Sequence, residues 1–188
     1  MTLTQFYTAT SLDGFIADEN HSLEWLFRQE QDRKGALNYD DFYAEVGALA
    51  MGRSTYDWVL DHEFKEKPVE EWKWVYDVPT WVFTHREPRV VPGADITFTG
   101  DDVPAVHDAM VKAADGRNVW IVGGGDLAGQ FADHGLLDEV IACFAPVMLG
   151  AGAPLLPRRL DLETVEVHRN GAFACGRYRV VKPESSVE

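Results

Sequence analysis

The stretch "NVWIVGGGDLAGQF", residues 118–131, carries the reading of the whole chain. An apolar β-type run, Val119 to Val122, meets three consecutive glycines and then a short amphipathic segment of helical character. Two physical readings of so much bare backbone are open. Glycines let the main chain approach an anion closely, and a following helix N-terminus presents free N–H groups with a partial positive charge. Glycine runs also simply punctuate loops as tight turns.

Outward from this stretch, β-type and helical patterns alternate. Toward the N-terminus, Leu3 to Ser11 reads as a strand, and residues 12–27, with Asp-Gly and Glu-Asn turn signals, as a long structured loop. Apolar spacing predicts a helix over Ala36 to Val46, and "ALAM" (48–51) is a short buried strand running into "GRSTYDWVL". In that segment Ser54 or Thr55 is the cap candidate. Residues 61–79 read as a loop with one helical turn, "TWVFT" (80–84) and "DITFT" (95–99) as strands. Asp101 or Asp102 caps a helix with Pro104 in its first turn, which Gly116 ends.

Beyond the glycines, a helix spans about Asp126 to Asp133 and a buried strand 139–149. Two β-rich runs pair about Asn170-Gly171 as a hairpin. About eight strands and four helices, alternating and ending in strands, predict an α/β domain with a mostly parallel sheet and an antiparallel terminal edge. The expected organisation is one domain over 1–182 with a tail at 183–188 and no repeats.

With 188 residues the chain buries a substantial core, and its formal charge of −14 argues against non-specific nucleic-acid binding. No apolar run approaches the roughly 20 residues of a membrane helix, and the first residues read as a strand rather than a leader, so a cytoplasmic protein is expected. Cys143 and Cys175, outside any Cys-x-x-Cys pattern and both in apolar segments, are expected as buried free thiols.

Several motif classes are excluded. Gly123, Gly125 and Ala128 satisfy G-x-G-x-x-A, but the Rossmann fingerprint belongs at the first strand, with an acid ending the next strand about 20 residues on. Here it falls past mid-chain, and Asp138 and Glu139 begin the next strand instead. The six histidines have no H-x-x-x-H or H-E-x-x-H spacing, and neither a G-x-S-x-G elbow nor a Walker phosphate loop occurs. What remains is a distributed set of anion-friendly strand ends: Gly52, Arg53, Ser54 and Thr55 opening a helix, Thr84, His85 and Arg86 after another strand, and the glycines with Asp126 after a third. In open parallel sheets, ligands sit beyond the carboxyl ends of strands, and together these three could hold a dinucleotide.

In this order and at these separations, "SLDGFIA" (11–17), "MGRSTYDW" (51–58), "TWVFTHR" (80–86), "VWIVGGGDLAGQF" (119–131) and "DEVIACFAPVMLGAGAPLLP" (138–157) resemble the dihydrofolate reductase superfamily. The likeness is to the dihydrofolate-reductase-like proteins related to the C-terminal reductase domain of bifunctional riboflavin deaminase-reductases, and it covers nearly the whole chain. It implies a three-layer fold and an NADPH cofactor. By that resemblance Ala9 and Ile16 flank the nicotinamide, while Gly52, Arg53, Ser54 and Thr55 hold the pyrophosphate and adenosine side. Thr84, His85 and Arg86 lie near the adenosine 2′-phosphate, and Val122, Gly123, Gly124, Gly125, Asp126 and Leu127 wrap the diphosphate. Exposed C-terminal strands imply a homodimer.

Two departures bear on the substrate. Dihydrofolate reductases carry an acid where this chain has Ala36, and riboflavin-pathway reductases usually read Glu-Gly-Gly where it has Gly123-Gly124-Gly125. The expectation is a reductase of a small pterin-like or pyrimidine-like ring, with Trp25, Tyr39 and Phe42 as flat walls and Asp40 or Asp41, or water, as the proton source. The alternatives are a true 5-amino-6-(5-phosphoribosylamino)uracil or dihydrofolate reductase, and a nucleotide-binding domain without turnover.

Overall fold

The computed structural model describes residues 1–100 and 102–182. The Asp101 cap alternative and the 183–188 tail lie outside the described residues. In chain order the elements are β1 (Thr4–Ser11), β2 (Phe15–Ala17), α1 (Glu24–Phe27), α2 (Tyr39–Ala44), β3 (Val46–Gly52), α3 (Arg53–Phe64), β4 (Thr80–Phe83) and β5 (Ile96–Thr99). Then follow α4 (Val103–Ala113), β6 (Asn118–Gly123), α5 (Gly125–Asp133), β7 (Glu139–Ala145), β8 (Ala153–Pro154), β9 (Leu162–Asn170) and β10 (Phe173–Val180).

Eight strands form one sheet in the order β5-β4-β3-β6-β1-β7-β10-β9. The first six are parallel, and β10 and β9 complete an antiparallel edge. The interior strands are apolar on both faces because helices cover both. On β1, Phe6 enters one apolar layer with Ile121, Met110 and Phe131, while Tyr7 enters the other with Leu49, Tyr56 and Leu60. That alternation is the period of two that a strand imposes, and each fully buried Leu or Phe contributes about 1.5–3 kcal/mol.

Several local expectations shift. The helix expected from Ala36 begins only at Tyr39, because Asn38 is its cap: the Asn38 side chain accepts from the Asp41 N–H at 2.9 Å. Asp102 caps α4 by accepting from the Ala105 N–H at 3.2 Å. Neither Ser54 nor Thr55 caps α3; Gly52 ends β3 and leads straight into the helix with no side-chain cap. The long loop over 12–27 contains β2, which pairs antiparallel with β8 as a separate two-stranded ribbon. The strand expected to reach residue 149 stops at Ala145.

The free-thiol expectation is corrected. Cys143 on β7 stands directly opposite Cys175 on β10, and the two are joined as a disulfide within a buried apolar cluster. The pairing spans 32 residues of sequence, so neither apolar segment displays it locally.

Candidate cofactor and substrate cleft

Because β3, β4 and β6 are adjacent and parallel, their carboxyl ends lie side by side, and two of them feed helices without an intervening loop. Gly52 is both the last residue of β3 and the cap of α3; Gly123 ends β6 and Gly124 caps α5. Neither cap offers a side-chain acceptor, so the first-turn N–H groups of two helices are left for a ligand.

Two cavities meet here and share Ser54, Thr55, Gly124 and Asp126. One, about 330 Å³, runs over Gly52, Arg53, Thr84, His85, Gly100 and Leu127. The other, about 340 Å³, is lined by Thr8, Ile16, Ala17, His21, Leu23, Trp58, Val122 and Gly123, with Gly125 and Pro154. Together they make an elongated cleft, polar at the β4 end and apolar at the β2 end.

The three glycines have different surroundings. A Cβ on Gly123 would meet the Thr55 hydroxyl at 2.9 Å, and one on Gly125 would run into the Pro154 and Leu155 carbonyls. A Cβ on Gly124 meets nothing within 4 Å. None of the three has a positive φ, and the Gly123–Gly124 peptide is cis. Gly124 is therefore the bare position that faces open space in the cleft.

The apolar end is held together by Asp13. Its carboxylate accepts from the Gly150 N–H at 2.7 Å, the Leu149 N–H at 3.1 Å and the Ser11 hydroxyl at 2.6 Å. The Leu155 N–H donates to the Gly14 carbonyl at 2.8 Å, and β2 pairs with β8 just beyond. Ile16, Ala17 and Pro154 are positioned by this stitching.

The Ser11 hydrogen bond, followed by those from Leu149 and Gly150, lowers the Asp13 carboxyl to about 2. A folded-state pKa below the ordinary carboxylate value adds stability above about pH 4 and loses it as pH falls toward 2. The ribbon is thus expected to be indifferent to pH from 8 to 5. Asp13→Ala should loosen the 12–17 and 147–152 segments to proteolysis throughout pH 5 to 8, with Asp13→Asn intermediate. Limited proteolysis checks this, and unchanged cleavage in Asp13→Ala would overturn it.

Arg53 is largely committed. Its Nε donates to Asp57 at 2.7 Å and its Nη1 to the Glu87 and Arg86 carbonyls at 2.9 and 3.3 Å. Arg158 pairs with Asp126 and Asp133 at 3.1 and 2.9 Å. The Asp126 carboxyl is lowered first by the Gln130 hydrogen bond and then by Arg158. It therefore stays ionised, with its charge met by Arg158.

The cleft gathers most of the residues expected of it: Ile16, Gly52, Arg53, Ser54, Thr55, Thr84, His85, Val122, Gly123, Gly124, Gly125, Asp126 and Leu127. Ala9 instead packs against the Trp25 and Cys143 cluster, and its neighbour Thr8 lines the cleft, because adjacent strand residues face opposite ways. Arg86 stands exposed next to His85, outside the cavity lining.

The expected proton donors and aromatic walls lie elsewhere. Asp41 and Phe42 line a separate cavity of about 310 Å³ with Gln5, Glu45 and Asn118, at the amino ends of β1, β3 and β6. The Asp41 carboxylate accepts from Asn38 Nδ2 at 2.7 Å, and Asp40 is an exposed residue of the α2 first turn. Phe42 stacks on Tyr7 in the core, Tyr39 stacks on Tyr43, and Trp25 is buried beside the cysteines. The sequence reading passed over Thr8, His21, Leu23 and Trp58. A signal for Trp58 exists: it lies four residues after Ser54 and three after Thr55, on one face of α3.

A family model, RibD C-terminal domain, matches residues 3–180. The chain belongs to the RibD C-terminal domain family. The YwjB protein of Bacillus subtilis strain 168 is 37% identical over 152 residues, covering 81% of each chain. A crystal structure of a Shewanella sp. PV-4 protein named for riboflavin biosynthesis superposes with a TM-score of 0.77 at 25% identity, covering 96% of this chain and 100% of that one. A Thermotoga maritima diaminohydroxyphosphoribosylaminopyrimidine deaminase/5-amino-6-(5-phosphoribosylamino)uracil reductase superposes with a TM-score of 0.62 at 18% identity. That match covers 96% of this chain and 57% of the longer protein, and at such identity it speaks for the fold. The fold is the one these structures share. Among the described residues no helix is long and apolar enough to cross a membrane, and no cluster of His, Cys, Asp and Glu suits a metal ion.

Proposed function

We propose that the protein is an NADPH-dependent reductase of a small heterocyclic ring. The observation that carries this reading is the pair of α-helices, α3 and α5, whose uncapped N-termini open onto one cleft across the open face of Gly124. A dinucleotide diphosphate is the ligand such a cradle suits, since backbone N–H groups and helix dipoles act on it with no cation spent. Ser54 and Thr55 add hydroxyl donors, and Thr84 and His85 sit at the end suited to the adenosine. NADPH bound there would supply a hydride.

The chain's own part is orientation, exclusion of water and a proton. Ile16, Ala17, Leu23 and Val122 form apolar walls at the reacting end. Reduction of a C=N or C=C bond of the ring would need that hydride and one proton. His21 lines that end of the cleft, and either it or a water beside it delivers the proton. Asp40 and Asp41, on α2, are not part of this arrangement.

Calorimetry tests the reading: saturable binding of NADPH at micromolar concentration is expected, followed by dihydronicotinamide oxidation with a ring substrate. No saturable binding of NADPH or NADH at millimolar concentration would overturn it. Binding without turnover across a panel of heterocycles would favour a nucleotide-binding domain instead.

A further inference from the structure

We infer that the substrate taken by this cleft is a flat, uncharged ring carrying no phosphate, stacked on Trp58. The inference rests on the reductase reading for the identity of the site, and on two separate features for the chemistry of the ligand.

The first feature is a stack of three aromatic rings from two helices. Trp58 and His62, one turn apart on α3, lie nearly parallel with centroids 4.7 Å apart. Phe27 of α1 lies over the same pair, 5.5 Å from His62 and 6.2 Å from Trp58. Phe27 is 59% exposed, so the stack stands at the protein surface beside the mouth of the cleft. The stack restrains the Trp58 ring, so a ligand that uses it meets a surface already ordered. Trp58 is the member that lines the cleft. A flat π-system gains contact area there with little side-chain entropy lost.

The second feature is charge. Among the described residues lining the apolar cavity, none is Lys or Arg. Its acid, Asp126, is held by Arg158. The anion-binding capacity of the cleft lies at the N-termini of α3 and α5, which the cofactor diphosphate would occupy. A phosphate ester at the Trp58 end would give up water with no Lys or Arg in the lining and only the His21 imidazole to meet it, in a chain of net charge −14. The site therefore suits a ring without a phosphate-bearing arm.

A matched pair of probes separates ring from phosphate: 2-naphthol, neutral at pH 7, and 2-naphthyl phosphate. Titrated calorimetrically into wild-type protein saturated with NADPH, so that the helix N-termini are already occupied, 2-naphthol is expected to bind at least tenfold more tightly than the phosphate. Trp58→Ala should weaken 2-naphthol at least tenfold, and Trp58→Phe should restore most of that loss. Equal or tighter binding of the phosphate would overturn the inference, and so would 2-naphthol affinity indifferent to Trp58→Ala. The wild-type comparison stands by itself should Trp58→Ala fail to fold. Trp58-dependent 2-naphthol binding by a protein that ignores NADPH would support this inference while overturning the reductase reading.

Discussion

Gly125→Ala is expected to lower the melting temperature of the unliganded protein, whereas Gly124→Ala should leave it unchanged and weaken NADPH at least tenfold. The two residues are adjacent, one capping α5 and the other opening it, yet their surroundings differ. An added methyl on Gly125 enters the Pro154 and Leu155 carbonyls, main-chain atoms that the β2–β8 ribbon holds in place. Overpacking of this kind costs about 1–3 kcal/mol. For a chain of this length each kcal/mol shifts the melting temperature by about 2–4 °C, so a loss of roughly 2–12 °C follows.

Gly124 has φ −91° and ψ 179°, an extended conformation open to alanine, and nothing lies within 4 Å of its Cβ. The methyl projects into open space between two uncapped helix ends. A tenfold loss there corresponds to about 1.4 kcal/mol. Melting curves with and without NADPH read both variants. A full ligand-induced shift in Gly124→Ala would return that glycine to an ordinary turn residue.

The contrast between these glycines also marks what the sequence made legible. The apolar run into three glycines announced a strand meeting a helix at an anion-friendly junction, because strand period, glycine freedom and helix onset are local properties. The same is true of the Asn170-Gly171 hairpin and of Asp102 and Pro104 at the start of α4. Which glycine faces the ligand was not legible, since it depends on the carbonyls of Pro154 and Leu155, far along the chain. The ribbon that brings them there pairs Phe15 with Pro154, and Asp13 reaches Leu149 and Gly150, contacts with no local signature. The joining of Cys143 to Cys175 was hidden for the same reason.

The helix carrying Asp40 and Asp41 could be read, but not where it docks. Its side chains are committed to Asn38, Tyr7 and the amino ends of the strands rather than to the cleft. Ser54 and Thr55 were legible as polar residues at a helix start. Only the direct passage from β3 into α3 shows that they leave its N-terminus uncapped.

The two arginines at the polar end are expected to affect the cofactors differently. Arg53, with its side chain 16% exposed, is bound to Asp57 and to the carbonyls of Arg86 and Glu87. It thereby ties the segment after β4 to α3, and Arg89 strengthens the tie through Asp57 and Asp61. Removing Arg53 frees that segment and leaves Asp57 one cation short, so Arg53→Ala should weaken NADPH and NADH by similar factors. Lysine should not rescue it, because one ammonium cannot reproduce a planar fork donating to a carboxylate and two carbonyls.

Arg86 is exposed, and among the described residues no carboxylate pairs with its guanidinium. It follows Thr84 and His85, which line the adenosine end. A charge-assisted hydrogen bond to a 2′-phosphate contributes about 1.5–3 kcal/mol, so Arg86→Ala should cost NADPH roughly 10- to 100-fold in affinity. NADH, without that phosphate, should lose little, and the NADPH preference of the wild type should shrink as salt is raised. Equal losses for both cofactors in Arg86→Ala would show that Arg86 does not read the 2′-phosphate. A loss confined to NADPH in Arg53→Ala would make Arg53 the phosphate reader instead of the tether.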